Sequence, residues 1–175
     1  RRHRRVLDVG GGEGTFLSAV AARWAHVDCF LFDLPPVAEH AAARFASLGL
    51  KARSLSVGGS FLTDRLPLGA DLVTLVRVLH DHDDDSVMTV LRAARAALPS
   101  DGRVLIAEPM SETPGAETVG DAYFGFYLLA MGRGRPRTPA RIGEMLVAAG
   151  FARPRLIPTA MPMQTSVVVA EVAAA

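Results

Sequence analysis

The sequence is short of most things that would announce a specialised environment. It has a single cysteine, Cys29, so no internal disulfide framework exists and a reducing compartment fits. It has a single lysine, Lys51, and 19 basic against 18 acidic residues give a formal charge of only +1. That balance removes the electrostatic ground for nucleic-acid binding. No apolar run approaches the ~18 residues of a membrane span, and no signal-peptide pattern or initiator Met opens the chain. What is abundant is apolar surface. Half of the 175 residues are hydrophobic and mean hydropathy is +0.25, enough to bury a core and to leave some surface for something other than water.

The basic opening, Arg1 to Arg5 with His3 inside it, runs straight into an apolar strand. It reads as an exposed linker stub, which fits an upstream part lying outside this chain. Beyond it, short β-branched runs alternate with helical stretches, the pattern of a mostly parallel sheet covered by helices. Strands are expected at Arg5–Val9, Val27–Phe32, Ala52–Val57, Leu72–Val76, Val104–Glu108, Arg155–Pro158 and Thr165–Glu171. Helices are expected near Thr15–Trp24, Val37–Leu48, Ser86–Leu98, Val119–Met131 and Ala140–Ala149. Asp83 to Asp85 suit the N-terminus of the third helix, where carboxylates accept its unpaired N–H groups, and Gly150 suits a C-cap. The expectation is one α/β domain over residues 1–175.

The first strand runs into Asp8-Val9-Gly10-Gly11-Gly12-Glu13-Gly14, a D-x-G-x-G-x-G turn ahead of a helix. Such glycines let a backbone approach a ligand closely. The dinucleotide fingerprint would need glycine where Thr15 stands. A tight turn alone would explain the glycines, but a second element accompanies them. Asp33 closes the second strand in Phe32-Asp33-Leu34-Pro35, nineteen positions after Gly14. A carboxylate at that strand end accepts from both hydroxyls of a ribose.

Together these motifs resemble the class I S-adenosylmethionine-dependent methyltransferases. The similarity extends through Val57-Gly58-Gly59-Ser60-Phe61, Leu79-His80-Asp81, Ala97-Leu98-Pro99-Ser100-Asp101-Gly102, Ala107-Glu108 and Gly134-Arg135-Pro136-Arg137-Thr138. That order resembles the small-molecule O-methyltransferases of the caffeate and acetylserotonin type. The stretch Asp121 to Arg137 is most similar to the branch acting on hydroxyneurosporene and demethylspheroidene. The resemblance implies a Rossmann-like, seven-stranded, mostly parallel sheet with helices on both faces. It implies S-adenosyl-L-methionine as cofactor, S-adenosyl-L-homocysteine as product and no metal. It carries Asp8, Gly10, Gly12, Asp33, Leu34, Ser60, Phe61 and Arg77 into the cofactor site. His80 becomes the general base, with Glu108 orienting its ring. Tyr123, Phe126, Tyr127 and Met131 become walls of the acceptor cavity, with Met161 and Met163 as adaptable neighbours. The family also carries an N-terminal dimerisation domain, so the intact protein is expected to be a cytoplasmic homodimer, with peripheral membrane contact to reach a carotenoid.

The departures narrow the acceptor. Ser60 stands where relatives commonly have Asp, and its hydroxyl accepts a weaker hydrogen bond from an adenine amine. His82 follows the His-Asp pair where many relatives have Trp. Pro136 replaces a glutamate that flanks the catalytic histidine of phenolic enzymes, leaving Glu108 as the sole orienting acid on this reading. A hydroxylated carotenoid therefore fits better than a phenolic or polyketide acceptor. Two rival classes stand further off. An NAD-dependent oxidoreductase is opposed by Thr15 and by a lone lysine; a non-catalytic cofactor-binding module is opposed by His80. His80, His82 and Asp83 to Asp85 would suit a transition metal by ligand type, but helix capping already employs the acids.

Overall fold

The computed structural model describes residues 3–112, 136–162 and 164–174. The expected helix near Val119–Met131 lies outside them. The element order is β1 (Arg5–Val9), α1 (Thr15–Arg23), β2 (Asp28–Asp33), α2 (Pro35–Ser47), β3 (Ser54–Gly58), β4 (Leu72–Val76), α3 (Asp84–Ala97), β5 (Arg103–Glu108), α4 (Pro139–Ala148), β6 (Phe151–Ile157) and β7 (Ser166–Val172). The strands form one sheet in the order β3-β2-β1-β4-β5-β7-β6, with β7 antiparallel to both its neighbours. This is the expected α/β class.

Side-chain alternation along β1 divides the core in two. Val6 joins Leu17, Cys29, Leu31, Ala41 and Phe45 beneath α1 and α2. Leu7 and Val9 join Val73, Leu75, Leu91, Ile106 and Leu146 beneath α3 and α4. A strand covered on both faces needs apolar residues at every position, which is why β1, β2 and β4 read as continuous apolar runs. Asp8 and Thr74, both about 1% exposed, interrupt that pattern.

Most bounds move by a residue or two, and three differences have a local reason. Pro35 and Pro36 open α2 instead of preceding it, because a proline in the first turn gives up an N–H that would be unpaired there anyway. β6 begins at Phe151, four residues early, and accommodates Pro154 through an irregularity between Ala152 and Arg155, with Arg153 at φ +53°. It lies at the sheet edge, where a missing donor is tolerated. Of the three acids expected to cap α3, only Asp83 does so, accepting from the Ser86 N–H at 2.8 Å; Asp84 begins the helix and turns its carboxylate elsewhere. Gly150 follows α4 at φ +93°, as expected. Among the described residues, no helix is long and apolar enough to cross a membrane.

Candidate active site

The strand order reverses between β1 and β4, and the five parallel strands bring their carboxyl ends to one edge. Open α/β sheets bind ligands at such a switch point. Asp8, Asp33, Gly58 and Glu108 all reach that edge, so four separate motifs of the sequence meet there.

The loop after β1 is stitched across the edge. Gly10 N–H donates to Phe32 carbonyl at 2.8 Å, and Gly12 N–H donates to Asp33 Oδ2 at 2.8 Å. Gly12 (φ +58°) and Gly14 (φ +76°) both need the left-handed region, for different ends. A Cβ on Gly14 would stand 2.6 Å from the buried ring of Phe45, so this glycine lets α1 approach α2. A Cβ on Gly12 would meet nothing within 4 Å, so its backbone borders open space.

Asp33 accepts from the N–H groups of Gly12 and Leu34, at 2.8 and 2.7 Å. An ionised carboxylate has about four acceptor positions, so it keeps capacity for two more donors. Leu34 beside it is 54% exposed, an apolar side chain offered at the same edge. In the β3 turn, Ser60 N–H donates to Asp64 Oδ2 at 2.8 Å, and Ser60 Oγ accepts from Leu62 N–H at 3.3 Å. Sequence reasoning missed Asp64. Four residues from the position where Asp was expected, it supplies a carboxylate to the same turn. Phe61 packs against the core and meets His82 edge-on, ring centroids 5.3 Å apart. Arg77 is exposed, holds φ +58° and donates its N–H to Ala107 carbonyl at 2.8 Å. It turns the chain sharply at the end of β4, a strained geometry of the kind that collects at functional sites.

Asp8 is strongly perturbed. Parallel register sets it beside Thr74, whose hydroxyl donates to Oδ1 at 2.6 Å, while Oδ2 is buried without a hydrogen-bond partner. Burial, partly offset by the Thr74 bond and reinforced by Asp33, pushes its carboxyl up to about 7. Below the ordinary value of 3.8 the group is protonated folded or unfolded. Between there and about 7 only the unfolded chain ionises, so stability should fall as pH rises, by roughly 4 kcal/mol at most. A cationic ligand beside Oδ2 favours the ionised form, so its affinity should rise with pH until about 7 and then level off. Calorimetry in two buffers checks this as proton release on binding. Asp8→Asn should flatten both profiles, and a flat wild-type profile would refute the assignment.

Glu108 and His80 form the second centre. His80 sits in a 3₁₀ turn, Leu79–Asp81, and is 3% exposed; Glu108, at the end of β5, is fully buried. Glu108 Oε2 accepts from the N–H groups of Leu79 and His80, at 2.9 and 3.2 Å, and lies 3.4 Å from His80 Nδ1. An ionised carboxylate only accepts, so in a neutral ring it holds the proton on Nδ1 and leaves Nε2 basic. Asp81 Oδ1 stands 3.3 Å from Nε2. This corrects the expectation that Glu108 serves the ring alone, because a second carboxylate comes from the adjacent residue. The ring and two acids can take up a proton and stabilise the resulting charge.

Three other members of the metal reading are employed otherwise, Asp83 as a cap, Asp84 on Arg137 and His82 against Phe61, and Asp85 is exposed. Among the described residues, no cluster of three His, Cys, Asp or Glu side chains is arranged to hold a metal. Tyr123, Phe126, Tyr127, Met131 and Met163 lie outside the described residues. Met161 is 60% exposed.

Seven strands in this order with β7 antiparallel, and a buried His–Glu pair at the carboxyl edge, define a class I methyltransferase-type α/β domain. Residues 1–152 match the O-methyltransferase domain family model, and the chain belongs to that family. It is 47% identical over 169 residues to a demethylspheroidene O-methyltransferase of Cereibacter sphaeroides, covering 95% of this chain and 44% of the relative. It is 43% identical to the enzyme of that name from Rhodobacter capsulatus, covering 98% of this chain and 42% of the relative. The chain thus spans less than half the length of these relatives. A solved O-methyltransferase of neocarzinostatin biosynthesis, in complex with S-adenosylmethionine and 2-hydroxy-5-methyl naphthoic acid, superposes with a TM-score of 0.82 at 36% identity. That match covers 97% of this chain and 49% of the solved one.

Proposed function

We propose that this chain is the catalytic domain of an S-adenosylmethionine-dependent O-methyltransferase whose acceptor is a hydroxyl of a hydrophobic small molecule, specifically a hydroxylated carotenoid. The observation that carries the chemistry is His80, buried with Nδ1 against Glu108 and Nε2 beside Asp81, a ring set between two acids to take up a proton. The carotenoid rests on the identity to two demethylspheroidene O-methyltransferases.

The residues at the β1–β2 edge fit the cofactor. Asp33 would accept from the ribose hydroxyls, Leu34 and Phe61 would flank the base, and Ser60 would accept from its amine. Asp8 Oδ2, buried and unpartnered, suits a cationic group, and Gly12 leaves open space along the glycine turn. S-adenosylmethionine, when bound, supplies an activated methyl group on a sulfonium. His80 Nε2 takes the acceptor's hydroxyl proton as the oxygen becomes nucleophilic. Glu108 keeps the ring oriented, and Asp81 stabilises the charge it gains. On this reading the intact enzyme is a cytoplasmic homodimer that touches the membrane surface where a carotenoid dissolves.

A second acceptor class, an aromatic polyketide hydroxyl, is favoured by the neocarzinostatin enzyme with its naphthoic acid. The test incubates the intact protein with methyl-labelled S-adenosylmethionine and either a tertiary-hydroxyl carotenoid in detergent or a hydroxynaphthoate. Label in the carotenoid alone is the expected result, and label in the naphthoate alone moves the enzyme to the second class. S-adenosylhomocysteine should also raise the melting temperature; stabilisation by NADH instead would sink both readings.

A further inference from the structure

We infer that Arg137 is a positioning residue for the proton-accepting His80, a role that rests on the function proposed above. Arg137 is 3% exposed, unusual for a residue type almost never buried unless paired. Its guanidinium reaches the two residues that bracket His80 and Asp81. Nη1 donates to Leu79 carbonyl at 2.8 Å, and Nη2 donates to His82 carbonyl at 2.7 Å. Nε and Nη2 both donate to Asp84 Oδ1, at 2.9 and 2.8 Å, which ties the fork to the first residue of α3. The backbone of the same residue acts on the other half of the pair. Its carbonyl accepts from Ser111 N–H at 3.1 Å, in the loop that follows Glu108.

One residue therefore grips the turn carrying His80 with its side chain and the loop after Glu108 with its main chain. The consequence is geometric. The Leu79 and His80 N–H groups meet Glu108 Oε2 only while the turn keeps its shape, and Nδ1 meets the same oxygen. Carbonyls at positions 79 and 82 face a single planar fork, which fixes the turn at both ends. A lysine has one compact ammonium and cannot span both carbonyls and a carboxylate in that plane. A ring displaced by about 1 Å costs up to about 10²-fold in rate.

The experiment compares Arg137→Lys, Arg141→Gln and wild type in the intact protein. Arg141 also pairs with Asp84, at 3.1 Å through Oδ2, but is half exposed and has no hydrogen bond to the turn. Arg137→Lys should lower kcat about 10–100-fold. The KM for S-adenosylmethionine and the Kd for S-adenosylhomocysteine should stay within about twofold, and Arg141→Gln should match wild type. Nitrogen-15 spectra of the histidines supply a readout that needs no turnover. In wild type His80 should hold its proton on Nδ1, and in Arg137→Lys the two tautomers should mix. If Arg137→Lys does not fold, Asp84→Asn, which loosens the fork's anchor, should show the same split of kcat from KM at about 3–10-fold. Wild-type kcat in a folded Arg137→Lys, an unchanged tautomer, or kcat falling together with cofactor affinity would each overturn the inference. A wild-type protein that methylates nothing would refute the proposed function alone, because the tautomer still reports whether the clamp holds.

Discussion

His80→Ala is expected to lower the rate of methyl transfer by about 10²–10⁴, the usual size of a general-base contribution. Cofactor affinity should stay nearly constant. The ring meets Glu108 and Asp81, whereas Asp8 and Asp33, the acids proposed for the cofactor, lie on β1 and β2. The substitution should also leave the turn standing, since Glu108 Oε2 keeps the N–H groups of Leu79 and residue 80. Glu108→Gln should cost nearly as much activity, because the amide oxygen can still accept from the Leu79 and His80 N–H groups but carries no charge to stabilise the protonated ring. A tertiary alcohol is a far weaker acid than a phenol, so base assistance matters more for a carotenoid acceptor. Single-turnover kinetics with saturating cofactor read the step directly. A His80→Ala enzyme within a few-fold of wild type would leave the cofactor site standing and remove the chemistry proposed here.

Asp33→Ala should do the opposite and weaken binding of S-adenosylhomocysteine by about 10²–10³. Two hydrogen bonds from a ribose to a charged acceptor, at roughly 1.5–3 kcal/mol each, account for a loss of that order. The alanine also frees the Gly12 and Leu34 N–H groups, so the glycine turn loses its tie to the end of β2. Asp33→Asn keeps one acceptor oxygen and should fall between the two. Titration calorimetry measures all three, and an alanine variant binding within threefold of wild type would contradict the assignment.

The β1–β2 edge proposed for the cofactor was legible because its parts are local. A glycine turn follows a strand, and an acid closes the next strand, so spacing along the chain already implies proximity in a parallel sheet. What was hidden depends on long sequence separations. Thr74 reaches Asp8 from 66 positions away, and Arg137 reaches Leu79 from 58. No local pattern marks either residue as a partner. Asp81 is adjacent to His80, yet only the 3₁₀ turn brings its carboxylate back onto the ring. Asp84 looked like a third helix-capping acid until a buried guanidinium claimed it. β6 was misplaced because Pro154 argues against a strand unless the strand lies at an edge, and edge position is a property of the assembled sheet.

The sole thiol gives the molecule a built-in clock. Cys29 lies on β2 in register with Val6 and Ser54, four residues before Asp33, and is about 1% exposed. Its sulfur donates to Leu17 carbonyl at 3.7 Å, and burial pushes its acidity below that of an ordinary thiol. A thiolate is the reactive form, so a modifying reagent waits for the helical cover over β2 to open. Labelling then counts openings of the layer over the strand whose end holds Asp33, with no engineered probe and no competing thiol in this chain. A ligand gripped by Asp33 slows that count in proportion to its own occupancy, so one chemical reaction reports both how often that layer opens and how firmly the sheet's edge is held.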